Sequence, residues 1–564
     1  MFAGVVWIAT SVPGTFLDLF EEGHWLGPAS DMLAGKVPYR DTFPMHGFFS
    51  DGGCDFLLFR LFGANFRLSV EARHLLESFF QPALFLVAAA ATRKPALAAL
   101  AIPLNVGMSI AVVMDRPVLP LLSLAAFAWA IGEERSKNRA FVAGLLGGIG
   151  LLYALEFGTF VLVAELLTLA ACRLTSRARE ACPVRSGSFL LGLAAVLFPW
   201  MVLLAGLDAL GPFLKVSFFD LPLRFESIWG LHFPLPWELA REWAHGRPFF
   251  AEGIPVGPGI AKRFYLAPVF GATGIAFALW IQWRRKPPVL ALRLLALSLG
   301  CLGFYRYVIF RFHVSAGNAL TGPLFLLLLV SAFEAFRERA ARTRRLGMVL
   351  GALGVLAAFA MNGPGRLLAV LRDAAAYRER TAPLPWTVPL TLPRGGGIRV
   401  PRDQERNLRA LIEFTDRYAS KDATILDLSN RAALYFFARR VNPTRFSEVP
   451  PMAPFEDEVL RDIQARRPAL VFLESGTWLD AIDGIPNSRR IPRVWKWVLE
   501  NYPVRARVGD TLVALPARNR SATQSSEEAV AAAFVLSSTK RSISRMNSSS
   551  MFAPPMRRYG SPFL

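Results

Sequence analysis

Apolar residues in this chain come in long blocks rather than at one regular spacing. Blocks at about 2–17, 75–92, 96–114, 117–132, 140–155, 157–172, 187–206, 264–282, 289–310, 317–334 and 345–362 carry few charges. A helix needs about 17–20 apolar residues to cross a hydrocarbon core of roughly 30 Å. The pattern therefore predicts an α-helical polytopic membrane protein of about eleven transmembrane helices, one per block. The stretch 140–172 is too long for one span, which predicts two helices with a turn near Glu156.

After the last block the period changes. DQERNLRALIEFTDRYAS has helical spacing, and ATILDLSN reads as a strand ending in a turn. AALYFFARR and EDEVLRDIQARRP read as helices, ALVFLES as a buried strand, PRVWKWVLENYP as a helix, and RVGDTLVALP as a closing hairpin. Strands alternating with helices predict a soluble α/β domain over 363–516. The remainder, 517–564, has no period and is expected to be disordered. No repeat is evident, and GGGIRVPRD reads as a linker.

Composition sharpens this picture. Of the 564 residues, 53% are hydrophobic and only 19% charged, against about 25% charged in soluble domains. The net charge of +20 would suggest nucleic acid in a soluble chain. Here it follows topology instead. Arg93 with Lys94, Arg135 with Lys137 and Arg139, and Arg284 with Arg285 and Lys286 fall in alternate loops, as the positive-inside rule requires. The N-terminus is then cytoplasmic. The loops 18–74 and 207–263 and the C-terminal domain lie outside, and no nucleic-acid partner is expected. The first block lacks a basic start and a small-residue cleavage site, so it reads as a short first span of a chain that begins upstream, not as a signal peptide. Cys54, Cys172, Cys182 and Cys301 form no CxxC pattern. No phosphate-binding glycine loop is present, so no nucleotide cofactor is expected.

The ionisable groups gather in the outside loops. FEEGHWLGPASDMLAGKVPYRDTFPMHG, Phe20 to Gly47, holds two Glu, two Asp, two His, a Lys and an Arg. Carboxylates at a membrane surface can act as general bases, hold a metal, or simply solvate a loop. Asp18, Glu21, Glu22, Asp31 and Asp41 are the candidates. Asp18 shares a helical face with Glu21 and Glu22, and His46 and Asp51 extend the polar surface. Glu156 sits between two apolar helices, where a carboxylate is costly unless functional or at the membrane edge. Trp229, His232 and Trp237 suit interfacial anchoring or stacking on a sugar.

The same stretch resembles the first outside loop of the GT-C superfamily of membrane glycosyltransferases, the group of protein mannosyltransferases and aminoarabinose transferases. The resemblance lies in Glu21-Glu22-Gly23, in Gly35-Lys36-Val37-Pro38-Tyr39-Arg40-Asp41, in FLLFRLFG (Phe56 to Gly63) and in LEFGTF (Leu155 to Phe160). Further along, DLSNRAALYFFARRVNPTRF, Asp427 to Phe446, is similar to the periplasmic region of the bacterial members. The resemblance implies a bacterial inner-membrane enzyme that moves a sugar from a polyprenyl-phosphate donor to a lipid, glycan or protein acceptor, with inversion. It places the base among Glu22, Glu21 and Asp18, in that order, although Glu21 stands where the family has Asp. Asp41 matches the family's second acidic position. FYRYVIFRFHVSAGN supplies Arg306, Arg311 and His313 as ligands for the donor phosphate, but lacks the Asp found there in the family. The resemblance leaves a divalent metal ion, Mg or Mn, open as a counter-charge. Rival readings are a glycan ligase or polymerase, and a transporter or flippase of a lipid-linked or anionic substrate.

Overall fold

The computed structural model describes residues 17–96, 115–131, 137–174, 186–229, 235–245, 289–310 and 385–517, with a few short pieces between them. The first loop supplies helix α1 (Gly23–Leu33), a tight turn over Phe49–Gly53, and α2 (Cys54–Phe62). The apolar region follows with α3 (Phe66–Ser78), α4 (Phe80–Thr92), α5 (Val118–Ala130), α6 (Lys137–Tyr153), α7 (Leu155–Leu174), α8 (Ser186–Gly206), α9 (Leu221–Trp229) and α10 (Val289–Phe310). Among the described residues three stretches are long and apolar enough to cross a membrane: Phe66–Thr92, Leu155–Leu174 and Ser186–Gly206. The expected spans at 2–17, 96–114, 264–282, 317–334 and 345–362, and the tail beyond 517, lie almost wholly outside the described residues.

The stretch 140–172 is two helices. The chain breaks at Ala154, and α7 folds back along α6 so that Gly158 approaches the backbone of Leu151. α6 and α8 cross closely. A Cβ on Gly144 would stand 2.0 Å from the Phe189 carbonyl oxygen, and one on Gly192 would stand 2.1 Å from that of Phe141. Small residues let the two backbones meet, as apolar helices without a hydrophobic drive between them require. Arg293 on α10 is buried and donates to the carbonyls of Ala128 and Ile131, satisfying the open C-terminal end of α5.

The C-terminal region adds α11 (Arg402–Tyr418), β1 (Ile425–Asp427), α12 (Ala433–Ala438), α13 (Glu456–Ala465), β2 (Leu470–Glu474), α14 (Pro492–Asn501), β3 (Val504–Val508) and β4 (Thr511–Leu515). The sheet order is β1-β2-β4-β3, with β1 and β2 parallel and the rest antiparallel. α11 buries Leu408, Leu411, Ile412 and Thr415, one stripe at helical spacing. The β3–β4 hairpin turns on Gly509 at φ +59°, a conformation that costs glycine least.

The first loop is built into this layer. Phe20, Phe43, Met45 and Phe48 share a core with Leu426, Phe446, Val459 and Val471. Leu26 and Ala29 of α1 pack with Ala432, Ala433 and Phe436 of α12. A fully buried Leu contributes about 1.5–3 kcal/mol by leaving water, so α1 is held mainly by this contact. Polar ties reinforce it. Ala433 N–H donates to Leu19 O, and Lys36 bridges Asp31 (2.9 Å) and the Thr444 carbonyl (2.8 Å). The second outside segment docks too, where Arg490 donates to the carbonyls of Ile228 and Trp229 at the end of α9.

Candidate functional site

The turn before α1 gathers three carboxylates. Asp18 Oδ1 accepts from the N–H groups of Phe20 (2.9 Å) and Glu21 (3.1 Å), a local arrangement that aspartate favours. The Glu22 N–H donates to Asp18 O, which closes a helical turn and puts the two side chains on one side. Burial, and then the nearby Glu21 charge, push the Asp18 carboxyl above its ordinary value. Glu22 is pushed well above it, first by burial and then by Asp18, and its Oε2 is shielded without a hydrogen-bond partner. Glu21 differs, because its side chain is 60% exposed.

Beside this turn lie two histidine–carboxylate pairs. His24 Nδ1 stands 2.7 Å from Glu448 Oε1, and both side chains are buried. The other ring nitrogen of His24, Nε2, is 4.0 Å from Glu21 Oε2. His46 Nδ1 stands 3.2 Å from Asp51 Oδ1, and the His46 backbone N–H donates to Asp51 Oδ2 at 2.7 Å. The two imidazoles meet edge to face with centroids 5.5 Å apart. His24, Asp51 and Glu448 line a narrow cleft with Phe43, Met45 and Phe446, with room for about one water molecule.

The two imidazoles shift in opposite directions. Burial alone would lower the His24 pKa, but Glu448 and then Glu21 outweigh it and hold it above the ordinary histidine value. Burial raises Glu448, and His24 offsets part of that rise. Burial and the Arg116 charge lower His46 to about 4, against the pull of Asp51. Burial opposes the charge on Asp51, yet His46, Arg116 and the His46 N–H outweigh it and hold the carboxyl well below its usual range. Asp51 is thus an anion accepting from a neutral imidazole.

A second network fastens the loop to the helices. Arg73 donates to Asp55 Oδ2 (2.8 Å) and the Ser50 carbonyl (2.8 Å), approaches Asp115, and stacks 3.8 Å over the Trp25 ring. Gly52, at φ +100°, completes the fit, since a Cβ there would stand 2.6 Å from the Trp25 carbonyl oxygen.

Of the residues singled out from the sequence, Asp18, Glu21, Glu22, His46 and Asp51 converge on this seam between the first loop and the C-terminal layer. Glu156, in the first turn of α7, stands 3.9 Å from Arg116. Asp41 instead closes a turn, accepting from Val37 N–H (3.0 Å) and Arg40 (2.9 Å). Burial opposes its charge, but these bonds win and hold its carboxyl below the ordinary value. Asp31 serves the Lys36 bridge. Trp229 is fully buried and so not placed to stack on a ligand, whereas Trp237 is exposed and His232 lies outside the described residues. Arg311, His313 and the side chain of Arg306 also lie outside them.

The sequence reading missed His24 and Glu448. Two of only six histidines within one short loop was the available signal for His24. Nothing in spacing could pair it with Glu448. It also passed over Glu165, which is buried inside α7 and accepts from Ser123 Oγ at 2.8 Å. Among the described residues no three His, Cys, Asp or Glu side chains are grouped as metal ligands. The two loop imidazoles are engaged by carboxylates instead. No protein-family model matches the chain, and no curated protein matches it.

Proposed function

We propose that this chain is a membrane glycosyltransferase of the GT-C kind, moving a sugar from a polyprenyl-phosphate donor to an acceptor outside the bacterial inner membrane. In this reading about eleven helices span the bilayer, the N-terminus is cytoplasmic and the C-terminal α/β layer periplasmic. The observation that carries it is the turn of three carboxylates, Asp18, Glu21 and Glu22, seated beside a buried histidine where an apolar helix bundle meets a soluble layer.

The chemistry follows from charge. The acceptor oxygen bonds to the anomeric carbon as the bond to the donor phosphate breaks, and the bonding pair leaves on the phosphate. The acceptor proton passes to a carboxylate. Glu21 suits that task better than Glu22, because Glu21 is open to solvent whereas burial favours the protonated form of Glu22. Arg306, Arg311 and His313 are the proposed phosphate ligands, a role that guanidinium geometry suits. The test is sugar transfer by purified protein across a panel of radiolabelled polyprenyl-phosphate sugars and acceptors. Transfer supports the reading, and its absence across the panel with a folded protein refutes it.

Glu165 favours a second reading. A carboxyl inside an apolar helix is costly and often marks an ion or proton path. A transporter of a lipid-linked or anionic substrate would bind donor without turnover, and Glu165→Gln would abolish uptake by proteoliposomes.

A further inference from the structure

The glycosyl-transfer reading uses Glu21 and leaves His24 and Glu448 without a task. Glu448 belongs to the segment before α13, from the C-terminal layer, and is 2% exposed. It stands 2.7 Å from His24 Nδ1, and His24 Nε2 faces Glu21 at 4.0 Å. Two rings pack edge to face with the imidazole, Phe20 at 4.7 Å and His46 at 5.5 Å between ring centroids. A buried carboxylate thus orients an imidazole whose far nitrogen meets an exposed carboxylate. The same logic fixes histidine tautomers elsewhere, where the partner on one nitrogen decides what the other presents.

We propose that Glu448 and His24 form a positioning pair for Glu21, through which the C-terminal layer holds the first-loop base in its orientation. The inference rests on the glycosyl-transfer reading for its consequence, but the pair itself can be tested apart from it. Glu448, and then Glu21, favour the charged form of His24, whose Nε2 faces the Glu21 carboxylate at 4.0 Å. The other charged or titratable groups facing the pair are Asp18 on the His24 side, Arg116 before α5, and His46 and Asp51 from the first loop. Asp18 adds to the negative side, and Arg116 opposes the imidazolium.

The experiment follows His24 by NMR in full-length, histidine-labelled protein in nanodiscs, assigned by difference with His24→Gln. It compares wild type, Glu448→Gln, Glu448→Asp and Glu21→Gln, with thermal unfolding as a check on folding and transfer kinetics beside it. The expected result is a tenfold or greater fall in the protonation constant of His24 in Glu448→Gln, a smaller fall in Glu21→Gln, and recovery in Glu448→Asp. Transfer by Glu448→Gln should lose at least tenfold in kcat with KM little changed. A His24 titration indifferent to Glu448→Gln overturns the pair. A shifted titration with an unchanged kcat overturns the positioning role. A wild type that moves no sugar refutes glycosyl transfer instead, and a His24 titration indifferent to Glu21→Gln then overturns the coupling on its own.

Discussion

The two histidine–carboxylate pairs have the same chemistry within 5.5 Å of each other, yet their imidazoles shift in opposite directions. Asp51 collects the His46 N–H, the His46 ring and the Ser50 hydroxyl, so its charge is satisfied locally and the imidazole stays neutral. Glu448 has no such backbone donor, and Glu21 adds a second negative neighbour to His24. His24 is therefore held above the ordinary histidine value. Donors to the carboxylate, rather than the pairing itself, decide where the proton rests. One pair fastens the loop, and the other is free to act on a neighbour.

The comparison can be broken hardest at Asp51. Asp51→Ala leaves the His46 N–H and ring without their acceptor, and unfolding in denaturant should show a loss of about 1–3 kcal/mol for each buried donor left unpaired. Asp51→Asn should lose less, because it keeps an acceptor.

The opposite shifts also predict opposite pH slopes. Unfolded His46 titrates near 6.5, whereas the folded chain holds it at about 4. The unfolded state binds that proton first, so stability is lost as pH falls from about 6.5 to 4, on the order of 3 kcal/mol. His24 is raised in the folded state, so its contribution is present below about 6.5 and lost as pH rises through the folded value. Glu448, also raised, has the same sign. Unfolding measured across pH should lose its acid-side slope in His46→Gln and its alkaline-side slope in His24→Gln.

A smaller effect is expected at Gly52, next to Asp51. Gly52→Ala forces a Cβ against the Trp25 carbonyl at positive φ, and thermal unfolding should show a loss of about 1–3 kcal/mol. The smallest is expected at Asp41, a partly exposed turn residue. Asp41→Asn should cost under about 1 kcal/mol and leave transfer within a few-fold of wild type, which would set it apart from the carboxylates of the Asp18–Glu22 turn.

Local features of this molecule were legible in the sequence. The stripe of Leu408, Leu411 and Ile412, the buried run of β2 and the glycine of the last turn each write their element into neighbouring residues. So did the break between α6 and α7, which bilayer thickness alone required. Long-range partners were not legible. The acidic turn at Asp18 to Glu22 was visible, but the seating of α1 on α12 and the reach of Glu448 to His24 depend on how distant segments pack. Glu165 escaped notice because one carboxylate does not spoil the hydropathy of a long apolar helix.

The most direct test of the account compares sugar transfer by Glu21→Gln and Glu22→Gln with wild type in one assay, with each protein shown to be folded. The account predicts a loss of about 10²–10⁴-fold in kcat for Glu21→Gln and a much smaller loss for Glu22→Gln. Full transfer by Glu21→Gln would contradict it, because the group that the histidine pair faces would then not be the base.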